Sequence, residues 1–456
     1  MNLDDTIAAI ATPLGEGGLA VIRISGGNAL TVAEKVFTPI GGNSCKPSEA
    51  KSHTIHYGKV LRAGERVDEV LCAVMLAPRT FTRENIVEIT CHGGILSTKT
   101  VLDAVLEAGA RLALPGEFTQ RAFLNGRLDL TQAEAVADLI HARTELALSA
   151  ANEQLAGKLS ARINQLRDDL MHTLAHIEAH IDFPEEDIAP DTRANLEGRM
   201  ERGIDFMDEL LRTASEGQIL RRGIRAAIIG RPNAGKSSLL NQLLGHERAI
   251  VSPIAGTTRD TIEETANVRG IPVVFIDTAG LREAKDEIES EGIRRSRESL
   301  ARAEFIIHVL DASEPLTKED EMFLAEFSDK KRILVLNKTD LPRKLVMPTL
   351  KASPVNVCCV SGNGIQQLKD AIKSLVWSGA VTNEMAQVTI NSRHQDALRR
   401  AREAGQLALD ALRAEASLEF VALDLRISAN AVGEVVGKTT TEDLLDSIFS
   451  TFCLGK

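Results

Sequence analysis

The residues whose types and spacing point most directly to chemistry are Gly230-Arg231-Pro232-Asn233-Ala234-Gly235-Lys236-Ser237. Glycines at this spacing let successive backbone N–H groups turn toward phosphate oxygens. Lys236 brings a positive charge to the β/γ position, and the Ser237 hydroxyl suits Mg2+. The apolar stretch Arg225–Ile229 before the loop reads as a strand, and Ser238 leads a helix-forming run to Leu244. A bare match of this length also arises by chance, so the downstream elements decide. Asp277-Thr278-Ala279-Gly280 ends a second apolar run, where Asp277 can hold the metal shell and the Gly280 N–H can reach a γ-phosphate. Thr257 and Thr258 lie between, where a switch segment would offer a hydroxyl to the metal, with Thr258 assigned to Mg2+ beside Ser237. Asn337-Lys338-Thr339-Asp340 ends a further strand, and the Asp340 carboxylate can accept from the N1–H and exocyclic amine of guanine. Adenine offers no such pair of donors. Ser361-Gly362-Asn363, after an expected strand Val355–Val360, completes the set, although Ser-Ala is the more usual start. The combination implies a GTP site.

Hydrolysis needs a group to orient the attacking water, and Leu281 stands where many small GTPases carry Gln. The acids Glu283, Asp286, Glu287, Glu289 and Glu291 follow and can serve; as a group they also fit a solvated face leading into a helix.

These motifs require a strand-and-helix frame, and the chain supplies one. From Gly223, short apolar strands at Arg225–Ile229, Val273–Asp277, Phe305–Leu310, Arg332–Asn337 and Val355–Val360 alternate with helices, which implies an α/β domain with a mostly parallel sheet. Before it, β-rich runs at Ile7–Thr12, Leu19–Ser25, His53–Leu61, Val67–Ala77 and Ile86–His92, with helices at Ala29–Phe37 and Ile95–Ala108, imply a compact α+β domain. Leu155, Leu159, Ile163, Leu166, Leu170, Leu174, Ile177 and Ile181 form one helical stripe that Pro184 stops, and Leu196, Met200, Ile204, Met207 and Leu211 form a second. Helical texture returns at Gln395–Leu412, Leu418–Val432 and Thr440–Phe452. The expected divisions are 1–118, a helical domain in two parts at 119–220 and 379–456, and an inserted P-loop domain at 221–378.

The 456 residues suit several cores. No apolar run approaches the ~20 residues of a membrane helix, and the acidic start Met-Asn-Leu-Asp-Asp is unlike a secretory signal. Six cysteines without a C-x-x-C pair fit a reducing cytoplasm. With 53 Lys and Arg against 64 Asp and Glu, the net charge of −11 makes a nucleic-acid-gripping face harder to supply, so a partner is expected to help hold any such substrate. His172, His176 and His180 share one helix face and mimic a metal site, but no carboxylate set accompanies them and a structural or solvated role is expected.

Outside the nucleotide motifs the chain carries Asp5-Thr6-Ile7-Ala8-Ala9, Ala20–Gly26, Cys91-His92-Gly93-Gly94, Pro115-Gly116-Glu117-Phe118 with Arg121–Gly126, Leu128-Asp129-Leu130, Ile181–Pro184 and terminal Cys453-Leu454-Gly455-Lys456. With these it resembles, over essentially its whole length, the bacterial and organellar tRNA-modification GTPase family MnmE, also called TrmE. The resemblance implies an N-terminal tetrahydrofolate-binding and homodimerising domain, a central helical domain and an inserted G domain. It implies action with an FAD-containing partner, MnmG, in a heterotetramer, to place an aminomethyl or carboxymethylaminomethyl group at C5 of the wobble uridine, position 34, of certain tRNAs. The carbon would come from a tetrahydrofolate derivative, 5,10-methylenetetrahydrofolate or 5-formyltetrahydrofolate.

By the same resemblance Arg23, Glu88, Arg127 and Lys456 bind folate, with Arg127 standing where Lys is common. Asn233, Ser252, Ile254 and Thr257 hold K+, within a nucleotide-binding segment that also includes Pro253, Ala255 and Gly256. Glu289 is catalytic with Lys236, and Cys453 takes a catalytic place. Taken alone, Glu88 would read as a solvent-facing strand residue, Arg23 as an edge-strand charge and Cys453 as a small hydrophobe. The competing class is a regulatory GTP switch of ribosome or RNA assembly, which has no use for Arg23, Glu88 or the terminal Cys-x-Gly-Lys.

Overall fold

The computed structural model describes residues 4–182, 190–245, 264–276, 301–326, 330–346, 353–377, 389–439 and 441–456. An N-terminal sheet comes first, from β1 (Ile7–Ile10), β2 (Leu19–Ser25), β3 (Phe37–Pro39), β4 (Thr54–Arg62), β5 (Glu65–Met75), β6 (Ile86–His92) and β7 (Arg111–Leu112). Their order is β3-β4-β5-β6-β2-β1-β7, antiparallel except for the β1–β7 pair. Period-two alternation decides the faces. On β2, Ala20, Ile22 and Ile24 join a core with α1 (Ala29–Val36) and α2 (Ile95–Glu107), so Arg23 points to the opposite face, where Ile7, Ala9 and Phe118 pack together.

Helices follow: α3 (Glu117–Leu124), α4 (Leu130–His141), α5 (Glu145–Leu155), α6 (Lys158–Asp182), α7 (Pro190–Arg212) and α8 (Ala214–Arg222). The stripe Leu159, Ile163, Leu166, Leu170, Leu174 and Ile177 is buried on α6 as its spacing predicts. Leu155 belongs instead to α5, because the chain turns at Ala156-Gly157, where the Gly157 N–H bonds the Gln154 carbonyl at 3.0 Å. On α7 the buried stripe ends at Leu210, with Leu211 only partly covered. Pro184 lies outside the described residues.

The second sheet is β13-β12-β11-β8-β10-β9, built from β8 (Ile224–Ile229), β9 (Glu264–Val268), β10 (Ile271–Phe275), β11 (Phe305–Asp311), β12 (Arg332–Asn337) and β13 (Val355–Asn356). All pairs are parallel except the β9–β10 hairpin. β9, Glu-Thr-Ala-Asn-Val, was not anticipated: only its burial against β10 marks it as a strand. β13 stops after two residues, short of the expected Val360, because Val357 to Gly364 form the tight turns that lead into a helix. The helices here are α9 (Lys236–Leu244), α10 (Lys318–Glu326) and α11 (Ile365–Val376). Leu239, Leu240 and Leu243 of α9 and Leu368 and Ile372 of α11 close one core over β8, β10 and β11. The chain ends in α12 (Ser392–Arg413), α13 (Leu418–Val436) and α14 (Glu442–Phe449).

These elements fall into two compact units, one from 1–137, 154–207 and 396–456, the other from 138–153 and 208–395. In the first, α13 packs along α6, and α14 packs on α3 through Phe449 and Phe123, with ring centres 6.5 Å apart. No helix among the described residues is long and apolar enough to cross a membrane.

Candidate functional site

In the second unit, β8, β11 and β12 lie side by side and all point the same way, so the loops after their C-terminal ends converge at one edge, where open α/β sheets take ligands. The loop after β8 is Gly230–Gly235. Lys236 opens α9 and its Nζ donates to the carbonyls of Gly230 and Arg231, each at 2.8 Å, curling the side chain over the loop. Burial lowers the Lys236 pKa from its ordinary value, so an anion arriving there gains a cation that is poorly solvated. Gly235 has φ +95°, and a Cβ at this position would lie 2.1 Å from Asn337 Nδ2. Asn337 itself, nearly fully buried, donates from Nδ2 to the Ala234 carbonyl at 2.9 Å. One asparagine therefore locks the phosphate-type loop to the base-type loop. Asn233 stands at φ +63° with its side chain exposed at the mouth, and Ser237 and Ser238 occupy the first turn of α9.

After β12, Lys338 (φ +62°) reaches back to Asp311 at the end of β11, Nζ to Oδ2 2.6 Å. Burial alone would raise the Asp311 pKa, but the hydrogen bonds from Lys338 and Ser313 outweigh it and hold the carboxyl below its usual range. Asp340 is exposed, and its Oδ1 accepts from the Cys358 thiol at 3.2 Å. The Cys359 N–H bonds Asn337 Oδ1 at 3.3 Å, and the Ser361 N–H donates to Cys358 Sγ at 3.5 Å. The segment after β13 is thus tied to the Asn337–Asp340 loop through Cys358 and Cys359, which sequence reasoning passed over. Ser361, Gly362 and Asn363 form the turn behind them: the Gly362 N–H bonds the Cys358 carbonyl, and the Cys358 N–H bonds the Asn363 carbonyl, both at 2.9 Å. The signal that could have found the cysteines was their place directly after the buried Val357, just past the end of β13.

In the first unit, Arg23 of β2 and Glu88 of β6 face each other in register and pair, Nε to Oε1 2.7 Å. β2 is internal to the sheet, and both side chains are about three-quarters covered, so neither is the exposed or edge charge that the strands alone suggested. The C-terminal residues fold back onto this place: Arg23 Nη1 donates to the Gly455 carbonyl at 3.4 Å, and the Phe118 N–H to the Lys456 carbonyl at 3.1 Å. Gly455 (φ +86°) passes so close to β1 that a Cβ would lie 2.3 Å from the Ile10 carbonyl oxygen. The Arg23 guanidinium lies 5.7 Å from the Phe118 ring centre, Phe81 packs against the Phe118 cluster, and Arg127 lies 5.0 Å over Phe81. Burial, helped by nearby Arg83, lowers the Arg127 pKa. Arg23, Glu88, Arg127 and Lys456 are gathered by these links, and Cys453 is exposed, its carbonyl accepting from Gly116 N–H at 3.5 Å.

Beneath this face lies a fully buried Arg121. It donates to the Asp5 carbonyl at 2.9 Å and to Glu84 and Glu117, both at 3.1 Å, and pairs with the Asp5 carboxylate. Glu117 also receives Arg111 and the Leu114 N–H, each at 2.7 Å. Arg121 and Glu117, both fully buried, therefore form with Asp5, Glu84 and Arg111 a charge knot that fixes α3.

Comparison with known proteins covers both units. The profile of the MnmE helical domain matches residues 130–453, and that of the GTP-binding protein TrmE N-terminus matches residues 6–127. The tRNA modification GTPase MnmE of Chloroflexus aurantiacus is 48% identical over 460 residues, covering all of both chains. Those of Geobacillus kaustophilus (47%, 99% of each chain) and Clostridioides difficile (45%, all of each chain) are as similar. The chain belongs to the MnmE family of tRNA modification GTPases. Among solved structures, Aquifex aeolicus Era bound to GDP.AlF4- is 27% identical over 40% of this chain and 67% of that chain, at a TM-score of 0.25. The P-loop architecture with its mostly parallel sheet rests instead on the sheet order above.

For this MnmE-family chain the remaining sequence expectations fall on residues outside the described ones: Ser252–Thr258, Asp277–Gly280 and the acids from Glu283 to Glu291, Glu289 among them. Among the described residues no cluster of His, Cys, Asp or Glu is arranged to hold a metal; His176 and His180 instead meet through their Nε2 atoms at 3.3 Å.

Proposed function

We propose that this MnmE-family GTP hydrolase couples hydrolysis in its second unit to modification of C5 of the wobble uridine, position 34, of tRNA. In this reading it works as a homodimer with an FAD-containing MnmG partner and takes a one-carbon unit from a tetrahydrofolate derivative. The observation that supports the folate half is the return of the C-terminal residues onto this face, with the Gly455 carbonyl on Arg23 of the Arg23–Glu88 pair and the Lys456 carbonyl on the Phe118 N–H. A glutamate-tailed pterin needs both a carboxylate partner for its ring donors and cations for its own carboxylates; this cluster offers both. The competing regulatory-switch reading gives the cluster no task.

For GTP, the fit rests on the loop that a Cβ at Gly235 would fill and on the half-desolvated Lys236. Lys236 and the N–H groups at the start of α9 bind the β- and γ-phosphates, and Asp340 accepts from guanine. Ser237 and Thr258 are the proposed Mg2+ ligands, and Asn233, Ser252, Ile254 and Thr257 the proposed K+ ligands; bound cations at these places supply positive charge to the phosphates. Glu289 is proposed to orient the attacking water, and Cys453 to act at the modification site. The proposed domains are 1–118, 119–220 with 379–456, and 221–378.

The folate half is tested by equilibrium binding of 5-formyltetrahydrofolate to the full chain. Wild type is expected to bind, and Arg23→Ala to lose at least tenfold. Absence of wild-type affinity, or an unchanged Arg23→Ala, refutes it. The cation assignment is tested by GTP hydrolysis in K+ against Na+: a K+ stimulation that Asn233→Ala abolishes is expected, and equal wild-type rates in the two salts refute it.

A further inference from the structure

An acidic chain that itself touches tRNA, even beside a partner, needs a local concentration of positive charge, and one place offers it. Between α6 and α7, Gly203 leaves the helix surface without a side chain, and a groove of about 780 Å³ opens over the buried Leu166 and Leu170. Three arginines line it, Arg162 from α6 and Arg199 and Arg202 from α7, against a single carboxylate, Asp169. His172 and His176 add further polar atoms along the α6 side.

The arginines are distinguished by how they are held. On the other side of α7, Glu197 and Glu201 are taken up by Arg193 and Arg413. Arg199 and Arg202, both exposed, form no ion pair among the described residues, whereas most guanidiniums of this unit, such as Arg23, Arg62, Arg111, Arg400 and Arg426, are paired. The Arg162 guanidinium lies over the Phe206 ring, its Cζ 4.6 Å from the ring centre, which orders it before any ligand arrives.

The spacing favours a polyanion. Arg199, Arg202 and the Phe206 platform beneath Arg162 follow one face of α7 over seven residues, about 10 Å at 1.5 Å per residue. The cations are therefore strung along the groove instead of converging on one point. All are arginines, whose planar fork suits phosphate oxygens better than the point charge of Lys does.

We propose that the α6–α7 groove is a docking face for the sugar-phosphate backbone of tRNA. This rests on the reading of tRNA as substrate and adds to it a surface remote in sequence from the nucleotide and tail residues. Each neutralised phosphate releases counterions, so the contacts are read in the salt dependence of binding, at about 0.7 to 0.9 per contact in the log–log slope.

The experiment measures binding of end-labelled tRNA to the full chain by fluorescence anisotropy from 50 to 300 mM KCl, for wild type, Arg199→Gln/Arg202→Gln and a control, Lys51→Gln/Lys99→Gln, which removes the same charge elsewhere. The groove variant is expected to bind at least tenfold more weakly at low salt, with a slope smaller by about 1.4 to 1.8. Its GTP hydrolysis and melting curve should match wild type. Equal effects of the groove and control variants, or weaker binding with an unchanged slope, overturn the proposal. Wild-type binding that the groove variant retains in full refutes the groove; absence of wild-type binding refutes direct docking of tRNA on this chain, and loss of modification by the complex besides would refute the tRNA reading itself.

Discussion

Cys358 offers a sharp test of how guanine is read. Its thiol, nearly fully buried, donates to Asp340 Oδ1 at 3.2 Å while its sulfur accepts the Ser361 N–H at 3.5 Å, so the carboxylate is oriented before a base arrives. Replacing Cys358 by Ala removes the donor and leaves Asp340 free to rotate toward solvent. Hydrogen bonds to a charged group contribute about 1.5–3 kcal/mol, but Asp340 is exposed and Sγ is a weak donor, which reduces the figure to roughly 0.5–1.5 kcal/mol. The expected loss of GTP affinity is therefore about 2- to 12-fold. Titration with a fluorescent GTP analogue measures it, with an ATP analogue as the specificity control. Cys358→Ser, which restores an O–H donor of similar reach, is expected to bind within about twofold of wild type. Equal affinities for wild type and Cys358→Ala, or a Cys358→Ser variant as weak as Cys358→Ala, would show that the thiol does not orient Asp340.

The Gly235→Ala variant should lose more, because Ala in the left-handed region costs about 1–2 kcal/mol and the displaced Asn337 leaves a buried hydrogen bond worth about 1–3 kcal/mol unmade. In the free protein the loop can move to relieve this, so nucleotide binding must restore the shape, and affinity in the same titration should fall at least about 30-fold; a fall below threefold would contradict the geometry. Arg121→Met leaves Asp5, Glu84 and Glu117 without their shared cation and should destabilise the first unit by roughly 3–5 kcal/mol in urea unfolding followed by hydrogen exchange at β1 and α3. Burial pushes the Asp5 and Glu117 carboxyls up, but hydrogen bonds from Arg111 and Arg121 hold both below the ordinary carboxylate range. The stability they contribute is thus present above the unfolded carboxylate pKa, near 4, and disappears as pH falls through the lower folded value. Wild-type stability should drop steeply below about pH 4, and Arg121→Met should flatten that drop; parallel pH profiles would exclude the charge knot as its source.

Periodicity made the frame readable. Leu19–Ser25, Ile86–His92 and Arg332–Asn337 have the bounds that their apolar runs suggest, because each is an internal strand whose burial pattern is written in its own residues. β9 was missed because Glu264, Thr265 and Asn267 are polar, and only the hairpin with β10 makes a strand of them. At the site, glycines and the Asn-Lys-x-Asp pattern carry their chemistry locally. Cys358 does not: a cysteine just past a strand reads as a small hydrophobe until Asp340, eighteen residues away, is seen beside it. The tail cluster was legible only through family resemblance, since nothing local tells Arg23 that its neighbour will be Gly455.

That last contact sets a timetable. Arg23 and Gly455 are separated by 432 positions, and synthesis at about 5–20 residues per second puts roughly 20 to 90 s between them. β4, β5 and β6 can pair as soon as they emerge, and the second unit, mostly one stretch from 208 to 395, can close in the interval. The first unit cannot: Phe118 N–H and the Arg23 guanidinium wait for residues 455 and 456, made long after them. During translation, the interrupted unit is the one whose unfinished face stays open longest, so a ribosome stalled beyond residue 395, once the second unit has emerged, would leave a nascent chain able to bind nucleotide while its other site is still incomplete.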